Sequence, residues 1–358
     1  ARKYLDFFPG WGVSNLGHCH PKVASAIKNQ VDKLIHLPNN FYSLPQARLA
    51  KEIIYHSFPG KVFFCNSGAE ANEAAIKLTR IFGKGKQHEI VVFSGSFHGR
   101  TMACISATGQ PKYQQGFAPL LPGFKTAAFN DLDAVQKAIN EKTAAIMLEI
   151  IQGEGGVNVA KKDFVCGLRE ICDKNNLLLI IDEVQTGIGR TGKMFAYEHY
   201  GISPDVITLA KALGGGLPIG AMVAKKDIAD LLGAGTHAST FGGSPLVCKA
   251  ALAVFRVISQ KRLLRNARST GQYLKDGLRK LQAKTRAIKE VRGLGLMVGM
   301  ELSISGKEIF ESCLKKGLII NCTQGNILRM MPALDVTTKQ IDRAVRILSS
   351  VFATNKKT

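Results

Sequence analysis

The stretch P-D-V-I-T-L-A-K-A-L-G-G-G-L-P-I-G-A (residues 204–221) places a short apolar segment directly before Lys211 and three glycines. Such a segment predicts a strand that is covered on both faces. Lysine is rarely buried, so a lysine at the end of this strand is unusual. An apolar pocket would lower its pKa and leave a free amine that can form an imine. We therefore predict a chemical role for Lys211, with a structural lysine as the alternative.

Similar apolar segments alternate with helix-like segments through the middle of the chain. They cover residues 62–65, 89–93, 144–150, 177–182 and 206–210. This alternation predicts an α/β fold with a mainly parallel sheet. A chain of 358 residues is long enough for two domains. We predict an N-terminal segment (1–43) that packs with the smaller domain, a large domain (44–243), and a smaller α+β domain (244–358).

The segment L-L-L-I-I-D-E-V-Q (177–185) ends its apolar run at Asp182. In α/β proteins, ligands bind at the carboxyl ends of the strands. A buried carboxylate needs a partner. The protonated ring nitrogen of pyridoxal phosphate (PLP) would be such a partner, and the pair would maintain the cofactor as an electron sink. The alternative is an acid that caps a loop or pairs with an arginine.

Two further segments have features of a ligand site. In N-S-G-A-E-A-N-E-A-A-I-K (66–77), Ser67 and Glu70 have the spacing of a capping box at the start of a helix. The N–H groups at such a helix start can bind a phosphate. In S-G-S-F-H-G-R-T (94–101), Phe97 offers a ring for a flat cofactor and Arg100 a guanidinium for a carboxylate. Taken singly, each feature is more often structural.

Charge and cysteine content limit the other classes of protein. The net charge is +21, and much of it lies between residues 256 and 292, where apolar residues recur at helical spacing. We interpret this region as the solvated side of helices and expect no nucleic-acid partner, although a basic face of this kind could bind one.

Neither a zinc site nor a disulfide framework is predicted from the eight cysteines, and no apolar run is long enough to span a membrane. We predict a cytoplasmic protein without a metal, and we expect a segment before Ala1 in the natural chain.

In combination, the motifs resemble those of the class III aminotransferases, PLP enzymes of fold type I. The resemblance covers almost the whole chain and follows S-G-A-E-A-N-E, F-H-G-R-T, Q-G-E-G-G, D-E-V-Q-T-G-I-G-R-T-G, A-K-A-L-G-G-G-L-P-I-G-A and T-F-G-G in order. It implies a large domain with a seven-stranded, mainly parallel sheet, a small α+β domain, and PLP as cofactor. It also implies a homodimer with active sites at the subunit interface.

The resemblance implies a role for each residue that matches a family motif. Lys211 would carry PLP as a Schiff base and move the substrate proton, while Asp182 would pair with the ring nitrogen. Phe97 and Val184 would enclose the ring, and Gln185 would approach its phenolic oxygen. The cofactor phosphate would be bound by Ser67, Gly68, Ala69 and, from the other subunit, Thr240.

Substrate handling also follows from the resemblance. The segment L-I-I-N-C-T-Q-G-N-I-L-R (318–329) favours the acetylornithine branch of the family. The reaction would pass the terminal amino group of N2-acetylornithine to 2-oxoglutarate, a step of arginine biosynthesis. Arg100 would bind the α-carboxylate of acetylornithine while Glu154 masks Arg329. When glutamate binds, Arg329 would take its α-carboxylate and Arg100 its side-chain carboxylate.

Ornithine, 4-aminobutyrate, succinylornithine and succinyl-diaminopimelate are alternative donors within the class. A semialdehyde aminomutase is a further alternative.

Overall fold

The computed structural model of the chain describes residues 2–260 and 262–354. The strands are β1 (Leu5–Asp6), β2 (Gly60–Cys65), β3 (Glu89–Phe93), β4 (Phe124–Ala127), β5 (Thr143–Leu148), β6 (Ile151–Gln152), β7 (Asn158–Val159), β8 (Leu178–Asp182), β9 (Val206–Leu209), β10 (Gly220–Lys225), β11 (Ile288–Leu294), β12 (Met297–Leu302), β13 (Leu318–Ile319), β14 (Asn321–Thr323) and β15 (Ile327–Met330).

The helices lie between these strands. They are α1 (Pro21–Val31), α2 (Leu44–His56), α3 (Gly68–Phe82), α4 (Met102–Ala107), α5 (Pro111–Gln114), α6 (Leu132–Ala138), α7 (Lys162–Asn175), α8 (Lys226–Ala229), α9 (Pro245–Ile258), α10 (Arg262–Gln282), α11 (Lys307–Lys315) and α12 (Thr338–Thr354). Short 3-10 helices cover Pro9–Gly12, Ala196–His199 and Lys211–Gly214.

The large sheet has seven strands within the described residues, in the order β2-β10-β9-β8-β5-β3-β4. Neighbouring strands from β9 to β4 are parallel, and β10 is antiparallel to both of its neighbours. The predicted α/β class with a mainly parallel sheet is confirmed. All five predicted strands form, with ends that differ from the predicted ones by no more than two residues.

Both faces of this sheet are covered by helices, which explains the unbroken apolar composition of its strands. On one face, Ile90, Met147 and Ile180 pack with Leu78 of α3. On the other face, alternate residues of the same strands join the core that includes α7 and α9. Side chains alternate between the two faces of a strand, so those within the strands are buried under the helices on either side. Residues just beyond the strand ends are not covered in this way and can form a site.

A second sheet of four antiparallel strands has the order β11-β12-β15-β14 within the described residues. In it, Arg329 on β15 lies opposite Gly299 of β12 and Asn321 of β14. Strand β1 pairs in parallel with β13, and α9 lies against α1 and α2. The predicted domain boundaries stay a prediction, and their ends include residues 1 and 355–358, outside the described part of the chain.

The basic region between residues 256 and 292 forms mainly the helix α10. Leu274, Leu278 and Leu281 are on its buried face, and Arg262, Arg265 and Arg279 are exposed. None of the helices within residues 2–260 and 262–354 has the length and apolar character needed to cross a membrane.

Candidate active site

A cavity of about 560 Å³ opens at the carboxyl ends of the parallel strands. Strands β2, β3, β5, β8 and β9 all end at this edge, because their directions agree. The structure brings ten of the predicted site residues to the cavity wall: Ser67, Gly68, Ala69, Phe97, Arg100, Glu154, Asp182, Val184, Gln185 and Lys211. Arg329 and Thr240 do not line it.

Asp182, the last residue of β8, is buried, and both of its carboxylate oxygens have partners. Its Oδ2 accepts hydrogen bonds from Asn72 Nδ2 and interacts with His98 Nδ1, each at 2.9 Å, and its Oδ1 accepts one from the Val184 N–H at 3.0 Å. Burial alone would lower the pKa of His98, but the bond and charge of Asp182, with Glu149, raise it above its usual value. These partners fix the position of the carboxylate.

Lys211 follows the neighbouring strand β9 and begins the 3-10 helix Lys211–Gly214. Its φ of +44° lies in the left-handed region, which costs a non-glycine residue on the order of 1–3 kcal/mol, and backbone strain of this kind clusters at active sites. Burial lowers its pKa, and the charges of Asp182 and Glu149 oppose that shift. An amine that loses its proton more easily is a better nucleophile.

The start of α3 is capped by Ser67. Its Oγ accepts the Glu70 N–H at 3.2 Å, while the Glu70 carboxylate accepts the N–H of Asn66 at 2.8 Å. In a capping box, the Glu70 carboxylate would accept the N–H of Ser67 itself. The predicted capping box is therefore wrong in this one bond, because Glu70 accepts the N–H of Asn66, the residue before the cap. The N–H groups of Gly68 and Ala69, the first two helical residues, have no acceptor within the helix.

Close packing at Gly68 brings the helix start against Val184. A Cβ at position 68 would come within 2.8 Å of Val184 Cγ1, so a larger residue would displace a cavity wall. The side chain of Gln185 lines the same wall, and its Nε2 donates to the backbone oxygen of Trp11 at 3.0 Å. Its predicted approach to a phenolic oxygen stays a prediction.

Arg329 is completely buried, and Glu154 is its acidic partner. Glu154 Oε2 lies 2.9 Å from Arg329 Nη2, and Asn321 Oδ1 accepts from Nε at 3.1 Å and from Nη2 at 2.9 Å. The guanidinium carbon lies 4.8 Å from the centre of the Phe8 ring and 5.5 Å from that of Trp11. Burial lowers the pKa of Arg329 and the charge of Glu154 opposes this effect. Glu154 lines the cavity, and Arg329 does not.

Arg100 and Thr240 are both exposed. The Arg100 guanidinium carbon lies 4.7 Å from the centre of the Tyr113 ring and 5.8 Å from that of Phe97. It is therefore supported from below by aromatic rings and free to contact a ligand at the cavity. Thr240 belongs to the loop before α9, and no hydrogen bond of its side chain is found among the described residues.

The cavity residues that sequence reasoning missed include His98, Tyr113 and Glu149. Glu149 Oε1 accepts the Phe97 N–H at 2.8 Å and its Oε2 accepts that of Gly153 at 3.2 Å. It directly follows β5, so a carboxylate after a buried strand, the signal that identified Asp182, was also present here. His98 lies within F-H-G-R-T, a motif in which only Phe97 and Arg100 are given a role from the sequence. Tyr113 lies on the short helix α5 and has no signal of this kind.

Glu183, the residue after Asp182, is a buried carboxyl group whose shifted pKa can be tested. It is fully buried, accepts Thr186 Oγ1–H at 2.6 Å and the Tyr197 N–H at 3.0 Å, and burial raises its pKa from 4.5 to about 7. The folded chain therefore holds this proton more tightly than the unfolded chain. The protonated Glu183 carboxyl therefore contributes to the stability of the fold below pH 4.5, and this contribution is lost as the pH rises to about 7.

We expect Glu183→Gln to remove this pH dependence, since an amide keeps one acceptor and has no charge to bury. The difference in the free energy of unfolding, variant minus wild type, should increase by on the order of 3 kcal/mol as the pH rises from 4.5 to about 7. Urea unfolding of both proteins at several pH values measures the difference, in which all other titrating groups cancel. A difference that does not change with pH would contradict the assignment.

Comparison with known proteins identifies the family. Residues 1–352 match the family described as Aminotransferase class-III. The chain is 52% identical to acetylornithine aminotransferase of Methanocaldococcus jannaschii, covering 100% of this chain and 91% of the relative. It is 45% identical to succinylornithine transaminase of Yersinia pseudotuberculosis, covering 98% and 88%.

A solved structure agrees with these relatives. The ornithine aminotransferase of Toxoplasma gondii, with PLP in partial occupancy at its active site, has a TM-score of 0.96 and 31% identity, and the match covers 100% of this chain and 87% of that one. The predicted resemblance and PLP-transferase fold are confirmed by these matches. The chain belongs to the class III aminotransferases.

Proposed function

We propose that this aminotransferase transfers the terminal amino group of N2-acetylornithine to 2-oxoglutarate, with PLP bound at Lys211. The observation that carries the proposal is the position of Lys211 and Asp182 at the ends of neighbouring strands, β9 and β8, in one cavity. The identity of 52% to an acetylornithine aminotransferase supports the substrate.

The chemistry of the cavity residues fits PLP. Lys211 offers an amine of lowered pKa to an aldehyde, and buried Asp182 offers a fixed carboxylate to a protonated ring nitrogen. The helix start at Gly68 and Ala69 offers N–H groups to a phosphate. When bound, PLP supplies an electron sink for the negative charge that develops at the substrate carbon.

In this mechanism, the residues of the chain orient the groups and move the proton. Lys211 Nζ would accept the proton from the amine-bearing carbon of the substrate and return it in the second half-reaction. Asp182 would pair with the protonated ring nitrogen, and Asn72, His98 and the Val184 N–H fix its carboxylate for this role. Phe97 and Val184 would exclude water from the two faces of the ring, and Gln185 would approach the phenolic oxygen.

Two arginines would distinguish the two substrates. Arg100, exposed at the cavity, would bind the α-carboxylate of acetylornithine while Glu154 stays on Arg329, the arrangement with the 2.9 Å ion pair. Glutamate has two carboxylates: its side-chain carboxylate would bind Arg100, and its α-carboxylate would displace Glu154 and take Arg329 as its partner. Arginine suits both tasks because its planar guanidinium fixes the distance and the orientation of a carboxylate.

We also propose a homodimer with active sites at the subunit interface. Phe41, Tyr42, Leu44 and Phe241 are 64–99% exposed, and large apolar side chains exposed in this way are common at interaction surfaces. Thr240 is the neighbour of Phe241 and does not line the cavity of its own chain, which supports its predicted contact with the phosphate of the other subunit. The cytoplasmic location and the lack of a nucleic-acid partner stay predictions.

A panel of amino donors tests the substrate. We expect the kcat/KM for acetylornithine with 2-oxoglutarate to exceed that for ornithine and 4-aminobutyrate by at least about 10-fold. The acyl group of acetylornithine removes the α-ammonium, which in ornithine would carry a positive charge close to Arg100. Steady-state rates with each donor, including succinylornithine and succinyl-diaminopimelate, measure this preference.

Each outcome of the panel has a distinct meaning. Preference for succinylornithine, the substrate named for the Yersinia relative, would reassign the donor and leave amino transfer intact. If no donor is used with 2-oxoglutarate, the proposed reaction is wrong, and turnover of a semialdehyde without a dicarboxylate would indicate an aminomutase.

A further inference from the structure

Tyr113 connects the two arginine sites. Its hydroxyl donates to Glu154 Oε1 at 2.8 Å, and the other oxygen of this carboxylate pairs with Arg329 at 2.9 Å. The face of its ring lies 4.7 Å from the guanidinium carbon of Arg100. One side chain therefore contacts the partner of one arginine and supports the other arginine directly.

The hydroxyl of Tyr113 is a permanent donor at neutral pH. Burial, together with the hydrogen bond to Glu154, raises the pKa of Tyr113 to about 12. The other hydroxyl near Glu154 Oε1 belongs to Thr323, at 3.4 Å, and donates at 2.8 Å to the backbone oxygen of Glu154 instead. Tyr113 thus forms the shorter of these two bonds to the side chain, and a hydrogen bond to a charged group is stronger than a neutral one.

We propose that Tyr113 is a specificity-determining positioning residue whose hydroxyl holds Glu154 on Arg329, a role that rests on the proposed functions of Arg100, Glu154 and Arg329. Binding of a second carboxylate at Arg329 must break this hydrogen bond as Glu154 leaves. The hydroxyl therefore opposes dicarboxylates and leaves the binding of acetylornithine unaffected.

The variant Tyr113→Phe removes the hydroxyl and keeps the ring beneath Arg100. We expect the holoenzyme variant to bind glutarate, an unreactive dicarboxylate, roughly 10-fold more tightly than the wild type, the size expected for loss of a bond to a charged group. The single tryptophan of the chain, Trp11, lies 5.5 Å from the Arg329 guanidinium, so its fluorescence can follow glutarate binding.

Tyr197→Phe is the matched control. Tyr197 is buried, and its hydroxyl has no hydrogen-bond partner within residues 2–260 and 262–354. This variant loses a hydroxyl outside the cavity and should bind glutarate like the wild type. Half-reaction rates provide the second readout: Tyr113→Phe should raise kcat/KM for glutamate and change that for acetylornithine by less than about 3-fold.

The outcomes separate this inference from the proposed function. Unchanged glutarate binding, or equal changes in both half-reactions, would overturn the role of Tyr113 while the wild-type rates leave the proposed function standing. A wild-type enzyme that runs neither half-reaction would overturn both. Tighter glutarate binding confined to Tyr113→Phe, with a gain for glutamate alone, is the result that supports the inference.

Discussion

Lys211→Ala is expected to stop turnover with every amino donor. The change removes both the amine that would carry PLP and the base that would move the substrate proton. The loss of proton transfer alone should lower the rate by about 10²–10⁴-fold. Single-turnover reaction of the PLP-loaded variant with glutamate, followed by visible absorbance, measures this rate.

Two control variants show whether the loss is specific. Lys211→Arg keeps a long basic side chain at this position but cannot form the imine, so it should be as inactive as the alanine variant. Lys339→Ala removes an exposed lysine on α12 and should keep the wild-type rate. If Lys211→Ala retained more than a tenth of the wild-type rate, the chemical role of Lys211 would be wrong.

Arg329→Ala is expected to separate the two half-reactions. The change removes the proposed partner of the glutamate α-carboxylate, and an unpaired carboxylate in a buried site costs on the order of 2–5 kcal/mol, or roughly 30–5000-fold in kcat/KM. Acetylornithine, which is proposed to bind through Arg100, should be affected far less. Rates of each half-reaction, measured separately, give the ratio.

Because Arg329 is fully buried, thermal unfolding must show that the variant remains folded. Arg329→Lys is the matched control, since it keeps the charge and loses the planar pair of donors. It should give an intermediate loss for glutamate. Equal losses in the two half-reactions of Arg329→Ala would contradict the two-arginine arrangement.

The sequence was sufficient to predict the sheet and the position of Asp182 and Lys211 at one edge of it. Period and composition identify buried strands, and parallel strands bring their carboxyl ends together, so Asp182 and Lys211 could be expected at one edge. Glu149 carries the same signal but lies in a segment that was interpreted only as a strand. Its side chain accepts the N–H groups of Phe97 and Gly153, which belong to the loops after β3 and β6. The periodicity of the sequence does not predict the conformation of these loops.

The contacts that remained out of reach are those between distant parts of the chain. Arg190 is fully buried, and its guanidinium donates to the backbone oxygens of Leu296 and Pro332, 106 and 142 residues away. Burial lowers its pKa to about 9. An arginine in a polar, glycine-rich segment is normally solvated, so no local pattern predicts this position. The same holds for Tyr113, whose partners come from two other segments, the loop with Phe97 and Arg100 and the turn with Glu154.

The most direct test of the account is the site at which PLP is attached. Borohydride reduction of the PLP-loaded protein, followed by proteolysis and mass spectrometry, identifies the modified side chain. We predict a single reduced adduct on Lys211, the residue that follows β9 and faces the cavity with Asp182. An adduct on another lysine, or no adduct at all, would contradict the account.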